Sequence, residues 1–576
     1  MSSLNWERVH TQLYHAAVAF QVIVSIFYLL ALVRLPYLSL ISGFVVRAMF
    51  TTSLNLALPL LIVSTFSLLL NLLRRRWSPI LFLILSFEVF LLTDFSILAL
   101  IFSLSILVFN LRSIRFNLLA FWSMALLCIV ETLSLIYLIT RTFFLHTTFQ
   151  ALAELVGRIH DVTSLMSPLL LFFFLFYWIL KPTILPRLKE VFGADSLHLR
   201  SNEFDEGPLA RINPKYLLAL VLALAVLTPL FPYSPGINRE MNPTSMDHQL
   251  YLQWLAEVEA DWRSAFSLVQ GTRPFLLLLM KVISRVTGAS SRTVVLFLPS
   301  VLNPLLALSV YFMVSKGQND KILAVLSSLF TVLGPHTSVL MYSSNLANIL
   351  GLSLIFISLG WFFNASTSKR PFTLVLSILA FALVGYVHPW TMYQYYAAFA
   401  LATLLGALTI AKETEDDNGH MPAFSFLVAV FVLEIVRNLV LQFVFRTPLA
   451  LPILSVPLQS SWIGFYAAVL FVYGGLLSNT VLYVASVFGI WSIEYRTHFS
   501  RLLFCLVGIS SLTMLFLDQF WMNRLLFNLP FGVFAAYALL IFSKYSKIDF
   551  YNRVVLPALF VLILIVNTFL TLADLI

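Results

Sequence analysis

The stretch EMNPTSMDHQLYLQWL, residues 240–255, sets a carboxylate, Asp247, beside an imidazole, His248, and follows them with Tyr251 and Trp254. Carboxylate and imidazole are side chains suited to moving a proton near neutral pH. Tyr and Trp add broad amphipathic rings that serve an interface or cover a ligand. Other groups capable of chemistry stand in short segments between apolar runs: Arg273 in GTRPFLLLLMKV, His336 in GPHTSVLMYSSN, His388 and Trp390 in GYVHPWTMYQYY, and Arg524 in LDQFWMNR, with Asp518 and Trp521 beside it. An arginine offers a planar fork of donors that matches an anionic oxygen pair. Brought together, these groups could hold an anion and take a proton from a nearby hydroxyl.

The elements that must position them are membrane helices. The chain has 576 residues, 60% hydrophobic and only 11% charged, and a mean hydropathy of +0.93, which excludes a soluble globular protein. Runs long enough to cross a hydrocarbon core of about 30 Å recur throughout, and the alternation of a barrel strand does not. The expected fold is all-α, a polytopic transmembrane helix bundle of about 16–17 spans. The first run, 15–33, lacks a small-x-small cleavage site and reads as a retained span. Cys128 and Cys505 lie inside apolar runs, where neither a disulfide framework nor a zinc site is expected. The net charge of +9 is explained by Lys- and Arg-rich cytoplasmic loops, so no nucleic-acid partner is implied.

Those loops give a topology. Arg74–Arg76, Arg112 with Arg115, the polar stretch 181–215, Lys316, Lys369 with Arg370, Lys412, Arg496 with Arg501, and Lys544, Lys547 and Arg553 alternate with apolar runs so that all fall on one side. Only the first fifty residues are ambiguous, because 36–50 is short for a span and contains Arg47. The long polar loop is a seam. It separates an N-terminal helical module, 1–181, from a second module, 214–576, with a linker at 182–213 and a large outer loop at 232–293. No repeat relates the two modules, which weighs against many transporter architectures.

Within the outer loop, Met246, Leu250, Trp254 and Val258 recur every four residues, with Tyr251, Leu255 and Trp262 beside them. This predicts an amphipathic helix lying flat at the outer interface, with Asp247 in its first turn at headgroup depth. A second short helix is expected over 273–288, opened by Pro274 and closed by Gly288. The loop and its edges carry Arg239, Arg263, Arg273, Lys281, Arg285 and Arg292, balanced by Glu240, Asp247, Glu257, Glu259 and Asp261. Plainer roles exist for each group: salt bridges for the cations, stabilisation of a helix start for Asp247, interfacial packing for His388, a helix-end anchor for Arg524. Glu434 and Arg437, three apart on one span, are expected to neutralise each other or a neighbouring helix. Glu88 and Glu131 have no assigned role, and no phosphate-cradling loop such as G-x-x-x-x-G-K occurs.

The order of elements resembles the GT-C superfamily, multispan glycosyltransferases that take a sugar from a polyprenyl-phosphate carrier. The span at 216–231, the outer loop with Asp247 in MDHQLYLQWL, the helix in GTRPFLLLLMKV and the late NRLLFNLPFGVFAAYALL carry the likeness, over about 214–576. The resemblance implies a polyprenyl-phosphate-linked sugar donor, membrane lipids as surroundings and an active face outside the cytoplasm, in the cell membrane. It implies Asp247 as general base. Arg273, Arg524 and His388 would hold the donor phosphate, His388 or His336 adding a charge-assisted donor, with His248, Tyr251, Trp254, His336 and Trp390 against the substrate. No cofactor and no tightly bound metal is implied, since GPHTSVLMYSSN has no carboxylate; Asp518 leaves a weakly bound divalent cation open. Two other classes compete: a transporter or flippase of lipid-linked precursors, and a catalytically silent scaffold that docks a membrane protein through residues 1–181.

Overall fold

The computed structural model describes residues 213–236, 238–245, 247–410, 420–447, 480–493, 497–513, 524–525, 527–545 and 556–573. The N-terminal module with Glu88, Cys128 and Glu131, its linker, and Met246, Asp518 and Trp521 lie outside the described residues. Those described are helical, without a strand among them. Among the described residues, five stretches are long and apolar enough to cross a membrane: Pro214–Tyr233, Ser291–Gln318, Lys321–Met341, Leu346–Ser368 and Met421–Phe443. The protein is a polytopic helical membrane bundle. Nearly all described residues, those up to Lys544 and from Leu564 onward, belong to one compact unit.

Helix α1 (Pro214–Leu230) starts at Asn213, whose side chain accepts from Lys215 N. Pro229 lies inside it and has no N–H, so the Ala225 carbonyl four residues back loses its helical partner. Asn303 supplies the replacement: its Nδ2 donates to Ala225 O at 3.1 Å and to Thr228 Oγ1 at 3.2 Å. The Thr337 hydroxyl lies 3.1 Å from Asn303 Oδ1, so three helices meet at one buried amide.

The segment after α1 contains α2 (His248–Ala260) and α3 (Pro274–Thr287). Helix α2 begins later than the sequence predicts. Residues 241–245 are not helical, because Thr244 is engaged with Tyr233 Oη at 3.2 Å and Asn238 brackets Asn242 through its amide. Asp247 therefore precedes the helix instead of lying in its first turn, and its side chain makes no capping hydrogen bond. The phase of the buried face also differs: His248, Tyr251, Leu255 and Val258 are buried while Leu250 is exposed. That face packs on α3 and α4 (Ser291–Phe297). Lys281 of α3 donates to the Val258 carbonyl near the end of α2 at 2.5 Å. Helix α3 matches its prediction, with Gly288 in the left-handed conformation that ends helices, φ 69°.

Helices then alternate: α5 (Pro299–Gln318), α6 (Lys321–Val332), α7 (Pro335–Ser343), α8 (Leu346–Ser368), α9 (Pro371–Val384), α10 (Pro389–Ile410), α11 (His420–Phe443), α12 (Thr480–Ser492), α13 (His498–Thr513), α14 (Phe531–Tyr545) and α15 (Leu556–Ala573). Asp320 caps α6, accepting from Ile322 N and Leu323 N at 2.9 Å each. Residues 334–345, expected as an outer loop, instead hold α7, because Pro335 suits a first helical turn and restarts the helix after Gly334. Helices α12 and α14 cross backbone to backbone at Gly489 and Phe534, where a β-carbon has no room.

The bundle has two distinct ends. At one, Gln318 at the end of α5 bonds Thr497 before α13 at 3.3 Å, and Lys316, Lys321, Lys369 and Arg370, at or beside the helix ends, lie there. At the other, Phe275 N donates to Tyr386 O at 3.1 Å and Thr447 Oγ1 to Phe266 O at 2.8 Å. The described residues of 231–290, 385–388, 444–447 and 524–530 lie at this second end.

Candidate active site

Arg273 reaches this end through an unusual backbone. Val269, Gln270 and Gly271 have φ of 50°, 57° and 67°, three successive left-handed residues of which the first is β-branched and the least suited to it. A β-carbon on Gly271 would lie 2.8 Å from Phe266 O. Tertiary contacts hold the turn: Phe266 stacks on Phe445 at 3.9 Å, and Thr447 binds the Phe266 carbonyl. The turn delivers Arg273 onto α2, where its Cζ lies 5.2 Å from the Trp254 ring centroid and 5.9 Å from that of Tyr251. Arg273 Nη1 donates to Tyr251 Oη at 3.2 Å, and its Nε is buried without a partner. Packing on an aromatic face orients the guanidinium and leaves its charge uncancelled.

Asp247 is half-buried at the start of the same helix. Burial raises its proton affinity above the usual carboxylate range, and the charges of Arg273 and then Arg524 pull it back. Arg524 is pushed down to about 10 by burial and by the repulsion of Arg273, with Tyr251 and Asp247 acting the other way. Burial chiefly raises the Tyr251 phenol. His388 is held well below its usual range by burial, with Arg524 and Arg273 adding to the effect. Asp247, Tyr251, Arg273, His388 and Arg524, drawn from four separate stretches of chain, thus feel one another's charges. Two guanidiniums against one carboxylate leave a positive excess, which suits an anion.

The segment carrying Arg524 is tied down by a buried polar network that sequence reading missed. Gln394 Nε2 donates to Leu525 O at 2.9 Å and to Ser510 Oγ at 2.6 Å. Asn528 Nδ2 donates to Gln394 Oε1 at 2.7 Å, and Tyr395 Oη to Asn528 O at 2.7 Å. Thr391 links this network to Asn348 and to His388. The signal was present in Thr391, Gln394 and Tyr395, whose three- and four-residue spacing puts them on one face of α10.

A second anchor holds the turn before His388. Glu434 and Arg437 pair at 2.6 Å as their spacing suggests; Arg437 Nη1 also donates to Gly385 O at 3.0 Å, and Tyr393 Oη to Glu434 Oε1 at 2.6 Å. Trp390 belongs with this group, its ring edge-on to Tyr393. His248 lies on the packed face of α2, where burial and then the charge of Arg292 lower its proton affinity. His336 is buried in α7 with its ring 5.0 Å from Phe527. Of the residues singled out from sequence, Asp247, Tyr251, Trp254, Arg273, His388 and Arg524 are brought together; His248 adjoins Asp247 on the packed face of α2, His336 lies against Phe527 and Trp390 against Tyr393. Among the described residues, no group of three or more His, Cys, Asp or Glu could hold a metal ion.

Fold and site define a helical membrane protein with two arginines and one carboxylate gathered at one end of its bundle. No family model and no curated protein matches the chain. Among solved structures it is similar to the apo crystal structure of the Archaeoglobus fulgidus oligosaccharyltransferase, at 13% identity and a TM-score of 0.42, over 63% of this chain. The chain spans 56% of that neighbour's length.

Proposed function

We propose that this protein is a membrane glycosyltransferase that moves a sugar from a lipid-phosphate carrier to an acceptor hydroxyl. The observation that carries the reading is the convergence of Arg273, Arg524 and Asp247 at one end of a membrane bundle: a cationic pair for the carrier phosphate, with a base beside it. The order of elements from α1 to α3, which resembles the GT-C pattern, supports the same reading.

In this reaction the acceptor oxygen forms a bond to the anomeric carbon while the bond from that carbon to the phosphate oxygen breaks. Asp247 takes the hydroxyl proton, and the leaving phosphate keeps the electron pair and stays on its lipid. Arg273 and Arg524 hold the charge that grows on the phosphate as the bond breaks. One carboxylate acting from the face opposite the phosphate implies inversion at the carbon. Trp254, already beneath Arg273, would cover one side of the sugar.

The test uses purified full-length protein and a polyprenyl-phosphate-linked hexose. Asp247→Asn should lower transfer by at least about 100-fold, the usual contribution of a positioned base. Undiminished transfer by that variant removes Asp247 from the base role. Arg524→Ala should weaken donor use without loss of membrane insertion; an insertion defect alone makes Arg524 a helix anchor.

A further inference from the structure

His388 ends a chain of hydrogen bonds whose direction is set far from the ring. Leu525 presents a backbone carbonyl, which only accepts, and Gln394 Nε2 donates to it. Gln394 therefore turns Oε1 toward Asn528, which answers with Nδ2. That leaves Asn528 Oδ1 facing the Thr391 hydroxyl at 3.4 Å, while Asn348 Oδ1 faces the same hydroxyl at 2.8 Å. A hydroxyl has a single proton. Given to either amide oxygen, it is not available for the 2.6 Å contact between Thr391 Oγ1 and His388 Nδ1, so the proton of that contact belongs to the ring.

A competing arrangement has Nδ1 accept from the Thr391 backbone N–H at 3.4 Å. With the hydroxyl proton kept by an amide oxygen, a bare Nδ1 would face the Thr391 oxygen at 2.6 Å with no proton between them; with the proton given to Nδ1, both amide oxygens would lose it, and either is a greater loss than one long backbone contact. A neutral imidazole protonated on Nδ1 carries its lone pair on Nε2. Burial and the two arginine charges keep the ring neutral, and the hydrogen bonds of the ring among the described residues are those of Nδ1.

Building on the transferase reading, we propose that His388 recognises a hydroxyl: Nε2 accepts the hydrogen of a sugar hydroxyl carried next to the phosphate that Arg273 and Arg524 hold. Thr391 is the positioning residue that keeps this lone pair in place. A lone pair repels an anionic oxygen, so the ring sorts hydroxyl from phosphate within one site. The role expected from sequence, a charge-assisted donor to the phosphate, needs a proton where this arrangement has none.

Two measurements decide it. In full-length protein labelled with 15N-histidine, with His388→Asn used to assign the signal, His388 should show a protonated Nδ1 and a bare Nε2 from about pH 6 to 8. Thr391→Val should release this preference and Thr391→Ser should keep it; a protonated Nε2 in the native protein overturns the proposal. The second measurement compares binding of a polyprenyl phosphate with and without a hexose, in lipid nanodiscs. His388→Asn should weaken the hexose-bearing lipid about 5- to 10-fold more than the bare one, the size of one lost hydrogen bond. His388→Gln, whose amide oxygen can stand near Nε2, should recover most of the loss. Equal weakening of both lipids overturns the hydroxyl assignment. If the native protein binds neither lipid, the transferase reading fails and the sugar assignment with it, while the nitrogen signals still decide whether His388 offers a lone pair.

Discussion

Asp247 carries two opposing influences. Burial favours its protonated form, two nearby arginines favour its charge, and burial is the larger. A carboxyl whose folded-state proton affinity is raised contributes its stability fully below the unfolded pKa, near 3.8, and loses that contribution as pH rises through the folded value. At pH 7 the ionised group therefore costs stability. Asp247→Asn is expected to melt no lower than the native protein at pH 7; the gain is small because the arginines lose a counter-charge, and it fades on acidification. Transfer should fall on its acid side at a pH above 3.8, the ordinary value for an aspartate. Thermal scans in detergent and a pH–rate profile check both. An Asn variant that unfolds at neutral pH would make Asp247 a structural residue.

Among the elements, the turn at 269–271 matters most to the site, since it aims Arg273. Left-handed backbone costs an L-residue about 1–2 kcal/mol, and at Gly271 a methyl would also press on the Phe266 carbonyl. Gly271→Ala should destabilise the folded protein by about that amount or more and weaken lipid-phosphate binding. Helix α3, with buried apolar residues of its own, should still insert. Binding that is unchanged would mean that Arg273 is placed without the turn.

The Glu434–Arg437 pair acts at the same scale by bracing the turn at 385–388. Arg437 is 5% exposed and Glu434 14%. Removing one partner strands a buried charge, at a cost of about 3–5 kcal/mol, whereas replacing both with neutral residues is far milder. Arg437→Ala should therefore lower the melting midpoint steeply, and the double variant Glu434→Gln with Arg437→Met should recover most of the loss. A double variant as unstable as the single one would show that the Gly385 and Tyr386 contacts, not the charge, dominate.

At the scale of the whole molecule, alternating helices put the Asp247 segment and the Lys369 connection at opposite ends. In a protein whose Cys128 and Cys505 are replaced by Ala, Gln249→Cys and Ser368→Cys are both at exposed positions. A membrane-impermeant maleimide should label one of them in sealed vesicles and the other only after permeabilisation. Labelling of both from one side would overturn the alternation on which the sidedness of the site rests.

Composition and the spacing of apolar residues determined, by themselves, that this is a helical membrane bundle, that α3 runs from Pro274 to the Gly288 cap, and that an amphipathic helix with reactive groups at and near its start precedes it. These are local properties: hydropathy over a span, a proline's fixed φ, a glycine's tolerance of left-handed backbone. The tertiary structure decided what local rules do not reach. It set the phase of α2, because α3 and α4 choose the face that is buried. It turned the expected loop around His336 into a packed helix, left the Asp247 side chain without a capping hydrogen bond, and drew Arg273, His388 and Arg524 toward it from distant stretches. The buried amides of α10 and the Arg524 segment show why: a polar side chain in an apolar run reads as a misfit until the partner that satisfies it, here more than a hundred residues away in the chain, is brought into contact.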